Sequence, residues 1–475
     1  MSGKISTKMW LSKKAFLLLI LIIFGGIIYF LIRSNIITNK INREVYEKND
    51  YIENTFNEAE EVETTNKTEE KKEIIPFKEI VVLNEYITKP NEIKRKTVPD
   101  FMQGLYVTAY KTRLKSFDSL LQEAKNSGIN TIVFDVKEMK GHVYFSIKDH
   151  DQLRYTYSEP LLKIDDIVEK IHSHGFYAVA RIVQFFNIET ATNHPELQPT
   201  HKDGGYWNEK VNTPSWLDSS NPIVQSELFQ IIDIVASSNV DEIQLDYVRF
   251  PTEGKLSNAV FYFQGEDTKR SIENEDYQKR EKRDIIRDYV RDLRRIVDRH
   301  NVKLSADIFA IVAWQRSLDI QNTGQDISYL SPYLHNIHPM IYSSHFSNDF
   351  AFPEKDFIKK PYSIVKHCLE QTIKYSHVDC RVIPYLQAFG WRVDYTKEYV
   401  FDQLKATVDS ESKGYIFWNA NSNYDKTLEW VKEWNIARQE GIILDGYYIK
   451  KDTIIKVDDE VEYIEVDDNI DIEIE

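Results

Sequence analysis

Between Val98 and Trp434 the sequence alternates short apolar runs with amphipathic stretches, eight times in succession. The runs are Gly104–Ala109, Thr131–Val136, Ala178–Phe185, Glu242–Val248, Lys303–Phe309, Asn336–Tyr342, Arg381–Gln387 and Gly414–Asn419. Their length and near-continuous apolar character predict strands buried on both faces. Between them, helical spacing predicts helices over Phe117–Lys125, Ile164–His172, Ile223–Ser237, 278–298, Ser363–Ile373, Glu398–Val408 and Lys426–Trp434. Asn221 and Pro222 supply an N-cap and first-turn signal for the third of these. Strand–helix alternation implies a parallel sheet under helical cover, and eight units imply a closed barrel, the (β/α)8 TIM barrel of the α/β class. An open doubly wound sheet would need a Gly-rich phosphate loop after the first strand, where the chain has Tyr106-Val-Thr-Ala-Tyr-Lys111.

In such a barrel, chemistry sits at the C-terminal ends of the strands. Polar residues there are Asp135 and Lys137 (strand 2), Arg181 (strand 3), Asp246 and Arg249 (strand 4) and Asp307 (strand 5). Further along are His338, Tyr342 and His345 (strand 6), Gln387 (strand 7) and Trp418, Asn419 and Asn421 (strand 8). Side chains alternate along a strand, so Gln244 shares a face with Asp246, Ser305 with Asp307, and Asp135 with Lys137. Asp246 ends an apolar strand and has Arg249 three residues on; a neighbouring guanidinium favours an ionised nucleophile. Asp307 is the natural second carboxylate. Glycosidic cleavage needs an acid for the leaving oxygen and a nucleophile or base, and adjacent strands lie about 4.8 Å apart. Asp135 is a third candidate. Arg181 is placed to orient a carboxylate or bind an anionic sugar. Aromatic residues make up 13% of the chain, and flat rings with polar tips suit the apolar faces of sugars. Trp207 and Trp418 are the expected platforms.

Gly104-Leu-Tyr-Val-Thr-Ala109, Val133-Phe-Asp-Val-Lys137, Ala180-Arg-Ile-Val183, Glu242-Ile-Gln-Leu-Asp-Tyr-Val-Arg-Phe-Pro251, Ser305-Ala-Asp-Ile-Phe309, Pro339-Met-Ile-Tyr-Ser-Ser-His345 and Phe417-Trp-Asn-Ala-Asn421 follow in order. Together they resemble the bacterial "putative glycosyl hydrolase domain" family, a domain of unknown function whose barrels are similar to those of the α-amylase-like superfamily. The resemblance implies a catalytic Asp after strand 4, here Asp246. Where α-amylase-like enzymes carry a Glu as general acid after strand 5, this chain has Asp307. Gln244 replaces their Arg two residues before the strand-4 Asp, and Gln387 stands where their third acid follows strand 7. The chitinase-type pattern wants an acid where Val248 stands.

Outside the barrel, Ala15–Ile32 is an unbroken run of 18 apolar or small residues preceded by Lys4, Lys8, Lys13 and Lys14. As a helix it would span about 27 Å, enough to cross a bilayer. The lysines would stay in the cytoplasm, leaving the barrel on the extracytoplasmic, periplasmic side. The expected organisation is a cytoplasmic stub and anchor (1–33), a low-complexity spacer (34–97) with one strand at Ile80–Leu83, the barrel (98–436) and an acidic tail (437–475). Ten of the fifteen net negative charges fall in the last 18 residues, and no basic patch suits nucleic acid. Cys368 and Cys380 form no metal-ligand pattern, and their pairing is open. His172 and His174 have His-x-His spacing but sit at a helix end before strand 3, away from the strand-1 position of barrel metallohydrolases. No metal or cofactor is expected. Two functions compete: a membrane-anchored glycoside hydrolase acting on an extracytoplasmic polysaccharide or oligosaccharide, and a non-catalytic glycan-binding barrel at the cell envelope.

Overall fold

The computed structural model describes residues 95–346, 360–441, 443–444 and 447–448. The anchor over residues 15–32, the strand at Ile80–Leu83, most of the spacer and the end of the acidic tail lie outside them. Among the described residues no helix is long and apolar enough to cross a membrane.

Eight parallel strands close into a barrel: β1 (Met102–Val107), β2 (Thr131–Lys137), β3 (Tyr177–Val183), β4 (Glu242–Asp246), β5 (Lys303–Phe309), β6 (Asn336–Ile341), β7 (Tyr385–Gln387) and β8 (Gly414–Trp418). A helix follows each in turn: α1 (Ser116–Asn126), α2 (Ile164–Ser173), α3 (Pro222–Ala236), α4 (Lys282–Arg299), α5 (Ser317–Thr323), α6 (Lys360–Tyr375), α7 (Lys397–Asp409) and α8 (Asp425–Glu440). Tracing the strand registers once around returns to β1 eight residues from the start, the shear of an eight-stranded barrel of this kind. At the seam between β8 and β1, Gly414 has φ +136° and pairs with Met102; a Cβ there would meet Met102 O at 2.0 Å, so only glycine lets the barrel close. The β7 run is interrupted: Arg381–Val382 pairs with β6, and pairing resumes at Tyr385 after Pro384, which has no N–H to give.

The helices form as their patterns dictate. In α3, Asn221 Oδ1 caps the first turn by accepting from Ile223 N at 2.9 Å, with Pro222 following. In α4, Ile285, Ile286, Tyr289, Val290, Leu293, Ile296 and Val297 form the buried face, while the arginines and aspartates pair along the opposite one. The barrel unit begins before residue 98. Arg95 donates to Ala236 O (2.9 Å), His300 O (3.1 Å) and Val240 O, and Lys96 N donates to Asp241 Oδ1 at 2.7 Å. Carbonyls exposed at the C-termini of α3 and α4 attract a cation there, so the last spacer residues are part of the fold. Cys368 and Cys380 are both free and buried.

The barrel floor is polar. Glu242, the first residue of β4, is fully enclosed and accepts from Tyr177 OH (3.1 Å) and Asn336 Nδ2 (2.7 Å). His338 points down into this layer: Nδ1 meets Ile383 O at 2.8 Å and Nε2 lies 3.6 Å from Glu242 Oε1. Burial pushes the Glu242 carboxyl up, but His338, Ser305 and Asn336 outweigh it and hold it below its ordinary value. His338 therefore braces the floor and does not reach the mouth, where the strand-end rule places it. Replacing Glu242 by Leu strips two buried donors of their acceptor, at about 1–3 kcal/mol each. The expected result is a matching drop in unfolding free energy in urea; an unchanged midpoint would mean that the network adds no net stability.

Candidate active site

At the opposite, C-terminal end of the barrel, register puts four charged side chains together. Asp135 on β2 lies opposite Arg181 on β3, and Val183 opposite Asp246 on β4, so the inward rows of neighbouring strands meet. Arg181 bridges the first and third: Nη1 donates to Asp135 Oδ1 at 2.5 Å, and Nε (3.1 Å) and Nη2 both donate to Asp246 Oδ2. Tyr106 OH donates to Asp135 Oδ2 at 2.5 Å. All are at least nine-tenths buried. Burial pushes the Asp135 carboxyl up, against the pull of Arg181. Asp246 is also held by Tyr247 N at 2.6 Å. Tyr247 has φ +52°, an unfavourable conformation for a bulky residue, and it turns the chain sharply after Asp246.

Asp307 on β5 stands one rung beyond the pairing of Leu245 with Ala306, beside Asp246. Gln244 Nε2 donates to Asp307 Oδ1, and Tyr385 OH donates to Gln244 Oε1 at 3.0 Å. The tyrosine proton fixes which end of the amide faces the acid. Burial, then the Asp246 charge, hold the Asp307 carboxyl well above the usual range. Two neighbouring carboxyls are thus in contrasting settings: Asp246 against a guanidinium, Asp307 enclosed and poised to keep its proton. Such a contrast separates base or nucleophile from acid.

One side of the mouth is aromatic. Tyr106 stacks on Trp418 (centroids 6.0 Å apart), which also meets Tyr342 (5.6 Å) and Phe389 (5.4 Å). His345, exposed, sits edge-on to Trp391 at 4.6 Å, and Trp391 is 42% exposed. These rings run from the barrel interior to the rim.

Several expected site residues have other partners than those their sequence positions suggest. Arg249 does not pair with Asp246; the turn at Tyr247 carries it among Trp216, Tyr247 and Phe309. Lys137 does not share the face of Asp135. The register slips between them, leaving Lys137 opposite Ile182, and Nζ donates to Val183 O at 2.7 Å. Burial lowers its ammonium to about 7. Gln387 is spent on loops, accepting from Ser344 N and Tyr399 OH and donating to Phe389 O. Asn419 likewise braces the loop after β8, bonding Ala388 O, Asn421 N and Asn423 N, while Asn421 is exposed. Trp207 is 2% exposed, its Nε1 bonded to Lys255 O, so it offers no platform. His172 bonds Asp241 and takes no part in the mouth. Among the described residues no group of three or more His, Cys, Asp and Glu is arranged to hold a metal ion. Sequence reasoning passes over Tyr106, Tyr385 and Phe389 and does not single out Trp391. The first two are accessible to it, since each alternates correctly to face inward on its strand.

A family model described as "Putative glycosyl hydrolase domain" matches residues 104–424. No curated protein sequence matches the chain. Among solved structures, the PgaB (BpsB) glycoside hydrolase domain from Bordetella bronchiseptica is similar at 12% identity and TM-score 0.52, over 70% of this chain and 98% of that one. The β-galactosidase from the psychrophilic Marinomonas ef1 is similar at 9% identity and TM-score 0.51, over 73% of this chain and 61% of that one. A hypothetical protein from Ruminiclostridium thermocellum shares 23% identity over 43% of this chain and 96% of its own, at TM-score 0.35.

Proposed function

The chain belongs to the "putative glycosyl hydrolase domain" family, and from that premise we propose that it is a glycoside hydrolase, tethered by residues 15–32, that cleaves an extracytoplasmic glycan with two carboxylates. The observation that carries this reading is the contrast at the mouth: Asp246 paired with Arg181, and Asp307 enclosed beside it with a raised pKa. Asp307 gives its proton to the glycosidic oxygen as the C–O bond breaks. Asp246 stabilises or captures the positive anomeric carbon that is left. Water then adds to that carbon and its proton returns to the carboxylate of Asp307. The aromatic side of the mouth supplies faces for sugar rings on either side of the bond. The lysine-flanked apolar run supports the tether and an extracytoplasmic site.

The engagement of Gln387 with loops, where a third acid would stand in α-amylase-like sites, favours the second reading of a barrel that binds glycan without cutting it. The test is product analysis by mass spectrometry after the full-length protein is incubated with a panel of oligosaccharides. Shorter sugars support hydrolysis; tight binding with no product establishes the binding barrel instead.

The same reading fixes a pH dependence. Activity requires protonated Asp307, so it falls as pH rises through the Asp307 pKa. Gln244 stabilises the carboxylate form by donating to it. Gln244→Leu removes that donor, raises the pKa further and moves the alkaline limb of kcat/KM to higher pH by on the order of one unit. A limb that moves down, or stays, would separate Gln244 from the acid.

A further inference from the structure

Arg249 is only 6% exposed, yet among the described residues no carboxylate lies within ion-pair distance of it. Its guanidinium carbon sits 4.1 Å from the Phe309 ring centroid, 4.7 Å from Trp216 and 5.2 Å from Tyr247. Nη1 donates to Phe250 O (2.9 Å) and touches Thr252 Oγ1 at 3.4 Å. Among the described residues Nε and Nη2 have no hydrogen-bond partner, and neither is fully enclosed. The cage is itself fixed, since Trp216 Nε1 donates to Glu209 Oε2 at 3.1 Å. Burial lowers the guanidinium to about 10, against the opposing pull of Tyr247, Asp246, Glu209 and Glu253. A desolvated cation with its donor edge unused is unfavourable on its own and becomes favourable when an anion docks against that edge. The Nε–Nη2 edge matches a carboxylate, two parallel N–H donors to two oxygens.

The charges around it point the same way. Asp135 and Asp246 share Arg181, and Asp307 is held by Gln244. Beside His345, Arg392 lies exposed with its guanidinium carbon 4.1 Å from the centroid of the Trp391 ring, again with no carboxylate in ion-pair distance among the described residues. The three strand-end acids are thus held within the protein, whereas Arg249 and Arg392 make no ion pair among the described residues.

We propose that Arg249 receives the carboxylate of an acidic sugar, so that the substrate is a uronate-containing or other carboxylate-bearing glycan. This rests on the glycan-cleaving reading of the same mouth. The test is calorimetric binding of the full-length protein to uronic-acid oligosaccharides and to the carboxyl-reduced, neutral oligosaccharides made from them. Wild type is expected to prefer the acidic form by about tenfold or more, and the preference shrinks as salt rises. Arg249→Met removes the preference and leaves neutral binding within about threefold, because the aromatic wall is untouched. Arg249→Lys, which keeps charge and loses the paired donors, retains only part of it. Equal wild-type affinity for the two forms overturns the proposal, as does an undiminished preference in Arg249→Lys should Arg249→Met fail to fold. Charge-selective binding with no cleavage of either glycan sinks the hydrolase reading alone; cleavage with no acid preference sinks this one alone.

Discussion

Asp246→Asn is expected to lower kcat by about 10⁴-fold or more, the scale on which loss of a group central to the chemistry falls. Asparagine keeps the shape and still accepts from Arg181, but it carries no charge to set against the developing cation and cannot form an ester with the sugar. Glycan affinity, measured by calorimetry, is expected to stay within about tenfold, because the aromatic wall and Arg249 are untouched. A second readout is tied to the same residue. The Asp246 charge raises the Asp307 pKa, so removing it lets that pKa fall, and the alkaline limb of whatever activity remains moves to lower pH. A variant with turnover within tenfold of wild type, or with an unmoved limb, would remove Asp246 from the reaction.

Asp307→Asn has a different signature. An amide cannot donate the proton that a poor leaving group needs, so hydrolysis of natural glycosidic bonds is expected to slow by about 10²–10⁴-fold. Aryl glycosides with acidic phenol leaving groups depart without that help and should lose about tenfold or less. The alkaline limb should disappear, since the group responsible for it is gone. Comparing kcat/KM for the two substrate types across pH decides the matter. Equal losses on both would mean that Asp307 supports the site without donating a proton. Tyr385 and Gln244 would then be positioning a structural acid.

Much of this site is legible in the sequence. Asp135, Arg181, Asp246 and Asp307 stand out because each is a polar residue at the end of an apolar run, and a parallel barrel leaves few reasons for a charge there. Their partners are not legible. Arg249 lies three residues from Asp246 and Arg181 lies 65 away, yet Arg181 makes the contact. Proximity in sequence fails because the left-handed turn at Tyr247 redirects the chain, and a tyrosine carries no sequence signal for that conformation. Lys137 departs from expectation for a similar reason: strict alternation puts it beside Asp135, and a slip in register breaks that alternation. Trp207 and Trp391 both lie in strand-to-helix loops, and nothing local distinguishes the one buried under Lys255 from the one left on the rim.

By itself, the sequence determined the barrel. Apart from the interrupted β7, every strand boundary falls within two residues of its expected place, because a strand buried on both faces must be apolar throughout and a local count detects that. It also determined the candidate acids, through the same periodicity. Tertiary structure alone decided what each one meets. Closure with a shear of eight sets which inward rows meet, and so places Arg181 between Asp135 and Asp246 and Gln244 under Asp307. It sends His338 down to Glu242 and leaves the donor edge of Arg249 unmatched. The physical reason is range. Hydrophobic periodicity acts over a few residues and is written along the chain, whereas charge pairing and desolvation act between groups that only the closed barrel brings together.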